Sequence, residues 1–334
     1  MISFKAYKAW LLTGLFFISA CSDEYVLDTP RHFREMEAPV LNPLTQLKID
    51  LGKKLFYEKA LSTDSTISCG SCHKQEFAFA DNSVYALGSH DSVGFRNTRG
   101  LTNTGYLQNF FGEGGLHSLE RATIAPMQTE FEMNQNIKTS LDRLKSDKAY
   151  LKMFEKVFDD VPNHQNVLWA LSSFQRTLIS ADSPYDHFVL GDSSALNDEA
   201  KKGLILFNSD RLGCRNCHTG ILFTDEETYN IGLCRGNPDY GRGRLTLDSA
   251  DHGAFLTPTL RNSEVTAPYM HDGSLKSLED VIRFYETGGQ WHYAKSKKMK
   301  PFELNDSERF ELISFLNSLT DTSFITNPKF SDPN

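Results

Sequence analysis

The chain is short of positive charge, of cysteine and histidine, and of alternating apolar patterns. Its 35 Lys and Arg stand against 43 Asp and Glu, a formal net charge of −8. The clustered cations that a phosphate backbone requires are missing, which argues against nucleic acid as a partner. No segment alternates apolar and polar residues convincingly enough for a half-buried strand, which argues against a sheet. With only six Cys and ten His in 334 residues, an ordered grouping of both is improbable by chance. Two such groupings occur.

Cys69-Gly70-Ser71-Cys72-His73 and Cys214-Arg215-Asn216-Cys217-His218 both read C-x-x-C-H. This spacing attaches c-type haem: two thiols add across the haem vinyl groups, and the adjoining histidine turns onto the iron as proximal ligand. A thioredoxin-like dithiol needs no trailing histidine. A structural zinc site would bring its four ligands as two nearby pairs, whereas these pairs lie in widely separated segments. Two covalently bound haem c groups are therefore expected, one on Cys69, Cys72 and His73 and one on Cys214, Cys217 and His218.

The N-terminus indicates where this chemistry takes place. Lys5 and Lys8 precede the apolar run Ala9 to Ile18 and the small residues Ser19 and Ala20, which is the layout of a signal peptide over residues 1–20 rather than of a spanning helix. Ile18-Ser19-Ala20-Cys21 resembles a bacterial lipobox, with Cys21 diacylated as the new N-terminus; an ordinary signal peptide with a coincidental cysteine is the alternative. Ser22, where Asp would favour inner-membrane retention, points to the outer membrane. The expected location is the periplasm or cell envelope, held at the membrane by an N-terminal lipid. Loss of residues 1–20 leaves 33 basic against 43 acidic residues, a net of −10. Cys234 then has no disulfide partner and reads as a small buried hydrophobe.

The remaining chain is long enough for two domains, and the two haem motifs divide it. The expected fold is all-α, two cytochrome c-like domains with long loops around the haems: 21–40 a tether without periodicity, 41–190 the first domain, 191–325 the second. Helical spacing runs through Ile137 to Phe158, through Val167, Leu168, Leu171, Phe174 and Leu178, and from Asn197 to Phe207. Ser277 to Asp280 reads as a capping box, and Asn305 to Leu319 as a last amphipathic helix. The stretches Gly88 to Gly115 and Asn230 to His271 are long Gly- and Pro-containing loops of the kind that serves a function. The haem motif is the only internal repeat legible.

Further motifs carry a family resemblance. Asp50-Leu51-Gly52-Lys53-Lys54-Leu55-Phe56, Phe79-Ala80-Asp81, Arg96-Asn97-Thr98, Glu132-Met133, Phe174-Gln175-Arg176, Asp239-Tyr240-Gly241-Arg242, Thr257-Pro258-Thr259-Leu260-Arg261-Asn262 and Ala267-Pro268-Tyr269-Met270-His271-Asp272-Gly273 resemble bacterial di-haem cytochrome c peroxidases and their MauG-type relatives, in the family's order. The resemblance implies that peroxide reacts at the first haem while the second accepts electrons from a small donor protein such as a cytochrome c. It puts Glu132 at the catalytic glutamate position, where the plain alternative is a solvated acid, and His271 near the inter-haem region, where the alternative is a core histidine. It implies Ca2+ held between the domains by Asn97 with backbone oxygens of Thr266 and Pro268, hard donors that suit this cation. It also allows a homodimer.

Three positions depart from the peroxidase pattern. Gly112 follows Phe111 where many members have Trp between the haems, and Ala122 replaces a Gln ten residues ahead of the glutamate. Tyr285 stands where peroxidases place a Met ligand to the second haem and MauG-type proteins a Tyr; a core tyrosine is the alternative. His90 lies one residue from the position of a distal histidine of the first haem, so either the loop slips to let it bind iron or it is an exposed loop residue; the expectation is an open first iron. The leading function is reduction of hydrogen peroxide to water. The alternatives are a MauG-like oxidase acting on a partner protein and a di-haem electron-transfer protein with little turnover.

Overall fold

The computed structural model describes residues 25–37, 39–233 and 239–333. The expected signal peptide, Cys21 and Cys234 lie outside the described residues. Helix dominates, in the order α1 Gln46–Phe56, α2 Cys69–Cys72, α3 Leu119–Gln128, α4 Ile137–Ser146, α5 Lys148–Phe158, α6 His164–Arg176, α7 Pro184–Val189, α8 Asp198–Phe207, α9 Gly243–Thr246, α10 Leu278–Glu286, α11 Asp306–Asn317 and α12 Thr322–Ile325. Strand among the described residues amounts to one antiparallel pair, β1 Thr228–Tyr229 with β2 Phe255–Leu256.

Local chemistry sets the helix ends. Asn197, Ser277 and Asn305 each accept a backbone N–H of the following first turn, and Asp280 and Glu308 return the bond to Ser277 and Asn305, which satisfies donors a helix start otherwise leaves open. The run expected as one helix from Ile137 to Phe158 is two. Asp147 breaks it by turning its carboxylate onto the N–H groups of Ala149 and Tyr150, an N-cap that outweighs continuing the helix.

The molecule contains one packing unit twice. In the first half α1 lies on α6, and Gly52 faces the Ala170 carbonyl so closely that a Cβ there would overlap the oxygen. In the second half α8 lies on α11, and Gly203 meets the Glu311 carbonyl in the same way. Phe56 packs on Phe174 with ring centres 5.3 Å apart, and Phe207 on Phe315 at 5.1 Å. After each haem motif comes a phenylalanine with left-handed backbone, Phe79 (φ 59°) and Phe223 (φ 54°), and each joins the core of its own half. Asn103 and Asn262, also left-handed, donate their N–H groups to Leu178 and Leu319, the residues just beyond α6 and α11. The duplication thus extends well past the five-residue motif. Burial of each large apolar side chain supplies about 1.5–3 kcal/mol.

Both chain ends depart from the expected division. The segment 25–37, read as a tether, is fastened to the body: Tyr25 donates to the Leu44 carbonyl, Arg34 to that of Tyr106, and His32 Nε2 lies 2.7 Å from Asp186 Oδ1. Phe33 is buried beneath the Arg261 guanidinium, 4.9 Å from its ring centre. The residues after 321 pack on the first core, not the second. Phe324 and Phe330 lie 5.6 and 6.4 Å from the Phe79 ring, and Tyr57 donates to the Phe330 carbonyl. Packing therefore does not end the second domain at 325.

Candidate functional site: two C-x-x-C-H turns on one cavity

A cavity of about 1710 Å³ runs between the two halves and is bordered by both C-x-x-C-H motifs. At the first, α2 is a single turn: Ser71 Oγ accepts the Ser68 N–H and His73 donates its N–H to the Cys69 carbonyl. His73 Nδ1 lies 2.7 Å from the Phe79 carbonyl oxygen, a contact that assigns the proton to Nδ1 and leaves Nε2 as the ligating atom. The second motif repeats this, with His218 donating to Cys214 through its backbone and to the Phe223 carbonyl through Nδ1 at 3.0 Å. Burial lowers the pKa of both imidazoles, which favours the neutral form that binds a metal. Cys69, Cys72, Cys214 and Cys217 are all free of disulfides. Paired free thiols, an oriented imidazole and a large, mostly apolar cavity are what covalent haem requires at each turn.

Glu132 sits on the turn that ends α3. Pro126 withholds a donor in the last turn of that helix, and the chain reverses so that Glu132 N–H returns to Thr129 and Met133 N–H to Pro126. Gly88 and Ser89 press against this turn: Ser89 N–H donates to the Glu132 carbonyl, and a Cβ on Gly88 would collide with the Phe131 carbonyl. The Glu132 carboxyl borders the cavity. Burial pushes its pKa up, hydrogen bonding with Thr129 pulls it partly back, and no basic side chain among the described residues offsets the burial. Its charge is felt at Cys69 and Cys72, so it belongs to the first motif.

Other expected residues fall in different places. His271 borders the cavity and stacks on Phe255 with ring centres 3.9 Å apart and planes 13° from parallel. Tyr285, on α10, borders it beside the second motif; burial raises the phenol pKa and the Cys217 and Cys214 thiols add to this. Asn97, Thr266 and Pro268 each border the cavity, and the Asn97 amide nitrogen donates to the Ser83 and Val84 carbonyls. His90 is not brought to the cavity. Its left-handed backbone turns the ring outward, 67% exposed and 3.5 Å from Asp64.

Sequence reasoning missed Glu113 and Phe255. Glu113 is buried and accepts from Arg96 at 2.5 Å and from Arg244, while Arg96 also grips Asp239 through two nitrogens at 2.7 and 2.8 Å. Phe255 faces Gly112, 3.5 Å from where a Cβ would stand, and carries the Arg96 guanidinium 5.2 Å from its ring centre. The ring thus occupies the ground beside Gly112, the position where the resemblance leads one to expect Trp. Neither residue belongs to a recognisable motif.

A fold with two C-x-x-C-H turns on a shared cavity defines a class of di-haem oxidoreductase. The family model described as di-haem cytochrome c peroxidase matches residues 46–194. The chain is 38% identical over 305 residues to the methylamine utilization protein MauG of Methylorubrum extorquens, covering 89% of this chain and 86% of that one. It is 30% identical over 276 residues to the cytochrome c551 peroxidase of Nitrosomonas europaea, covering 81% and 79%. Among solved structures, a MauG-like protein associated with microbial copper homeostasis superposes with a TM-score of 0.87 at 31% identity, over 92% of this chain and 99% of that one. The chain belongs to the di-haem cytochrome c peroxidase and MauG family, whose members carry two haems.

Proposed function

We propose that the chain reduces hydrogen peroxide to water, with peroxide reacting at a haem c held by Cys69, Cys72 and His73 and electrons entering from a small donor protein at a haem c held by Cys214, Cys217 and His218. The observation that carries this reading is Glu132, half-buried on the cavity wall at the first motif, with no cation among the described residues to hold its carboxyl ionised. When bound, the haem iron supplies the open position for peroxide and the path for electrons. Glu132 takes the proton from the inner peroxide oxygen and delivers it to the outer one, so that water leaves; two electrons and two protons per peroxide give two waters. A carboxyl with a raised pKa suits both halves of that transfer. His73 and His218 are oriented by the Phe79 and Phe223 carbonyls, and His271, stacked on Phe255, borders the cavity between the halves. Asn97, whose Nδ2 is engaged, offers Oδ1 to a Ca2+ ion with the Thr266 and Pro268 carbonyls. The protein is taken to work in the cell envelope, anchored through lipid on Cys21, each haem in its own cytochrome c-like domain, the whole able to form a homodimer.

Glu132→Gln keeps size and hydrogen bonding but cannot shuttle a proton. Steady-state peroxide consumption with a reduced donor should fall by about a hundredfold or more, with resting haem spectra unchanged. Full turnover in this variant would remove Glu132 from the mechanism.

One observation favours a second reading, a MauG-like oxidase that uses peroxide to oxidise a partner protein: Tyr285 stands beside the second motif. A phenolate ligand there would stabilise ferric iron. Tyr285→Phe should then change the ferric absorption and electron paramagnetic resonance spectra of one haem; unchanged spectra make Tyr285 a packing residue.

A further inference from the structure

Four arginines border the cavity, and three of them hold carboxylates: Arg96 takes Glu113 and Asp239, Arg244 takes Glu113, and Arg261 takes Asp186. Arg99 holds none among the described residues. Its side chain makes one long hydrogen bond, Nη1 to the Leu256 carbonyl oxygen at 3.3 Å. Glu113, the acid whose charge reaches it, makes its ion pairs with Arg96 and Arg244 instead. Burial pulls the Arg99 pKa down to about 10, far from enough to discharge it at neutral pH. A partly buried cation with no carboxylate on its guanidinium carries a desolvation cost that, among the described residues, only the charge of Glu113 offsets in part.

The position of Arg99 says which anion would. Its backbone carbonyl faces the His73 ring, while its side chain crosses to Leu256 in β2, next to Pro258, whose carbonyl faces the His218 ring. Arg99 therefore spans the boundary between the two haem sites, on the wall of the cavity, with no carboxylate paired to its guanidinium among the described residues. Haem brings two propionate carboxylates, and an Arg fork matches a carboxylate with two parallel N–H donors. In the second half the residue corresponding to Arg99, counted from the paired Asn103 and Asn262, is Pro258, which has no charge to offer. The anchor is thus present once.

We propose that Arg99 is the anchor for a haem propionate at the boundary between the two haem sites. The inference rests on the di-haem reading, and haem content separates the two: a protein without two covalently held haems overturns that reading, whereas two haems in both wild type and variant keep it and leave Arg99 under test. Spectroelectrochemical titration of Arg99→Gln should then show one midpoint potential lower than in the wild type, because removing a cation beside a haem favours the ferric state, with the other unmoved. The haem that shifts is the one whose propionate Arg99 holds. Arg99→Lys, which keeps the charge but not the fork, should lie between Gln and wild type. Both midpoints unmoved in Arg99→Gln overturns the proposal. Where the Gln variant fails to load two haems, a crystal structure of the haem-loaded wild type decides: a propionate oxygen within hydrogen-bond distance of the guanidinium supports it, and a guanidinium facing water or a free anion overturns it.

Discussion

C-x-x-C-H states its purpose within five positions because covalent attachment and axial ligation must share one turn. Glu132 is marked by the resemblance; what the sequence could not show is its partial burial, on a turn that Gly88 and Ser89 press against. That burial has a consequence for stability. A carboxyl with a raised folded-state pKa contributes fully below its unfolded value of about 4.3 and loses that contribution as pH climbs through the folded value. Glu132→Gln removes the penalty of burying the charge, so its melting temperature should exceed the wild type's at pH 7 to 8 and the gap should close below about pH 4. A constant gap across pH would mean that Glu132 is as well solvated folded as unfolded. His90, exposed and facing Asp64, should be silent: His90→Ala leaves a high-spin ferric resonance of the first haem unchanged. A wild type with two low-spin haems, one of which becomes high-spin in His90→Ala, would instead make His90 a ligand that the loop brings in.

Among the elements, helix positions were readable from spacing and caps, as at Ser277 and Asn305, while Asp147 was passed over because a single capping residue interrupts an otherwise continuous apolar pattern. The duplicated helix pair was hidden for a different reason. Its signature is a glycine four residues before a phenylalanine, Gly52 with Phe56 and Gly203 with Phe207, and that spacing acquires meaning only when the partner carbonyls of Ala170 and Glu311 arrive from over a hundred residues away. Close approach of backbone to backbone is what the missing Cβ permits. Gly52→Ala or Gly203→Ala should each cost about 1–3 kcal/mol or more, since a rigid carbonyl rather than a flexible side chain must yield. Denaturant melts would measure it. A loss within a few tenths of a kcal/mol, the range of an ordinary surface change, would show that the helix pairs tolerate separation.

At the scale of the whole molecule, the first haem site depends on the last residues of the chain. Phe79 has two roles: its carbonyl orients His73, and its ring lies against Phe324 and Phe330. Gln75, just past the same motif, donates to the Phe324 and Asn327 carbonyls. Among the described residues no equivalent closing segment covers Phe223, whose ring is packed by Tyr185, Phe207 and Phe315 from within its own half and α7. The sequence could not announce this, because the tail carries no pattern of its own and its two aromatic side chains find partners only in the assembled fold. Phe324 is fully buried, so Phe324→Ala should cost about 3–5 kcal/mol through lost transfer energy and the cavity left behind. The loss should be unevenly distributed. Loosened packing under Phe79 frees the His73 ring, so the first haem should show broadened or altered ferric resonances while the signals of the second haem keep their wild-type form. Comparing the two haems within one protein controls for general instability: equal disturbance of both would mean that the tail stabilises the molecule as a whole and has no particular hold on the first site.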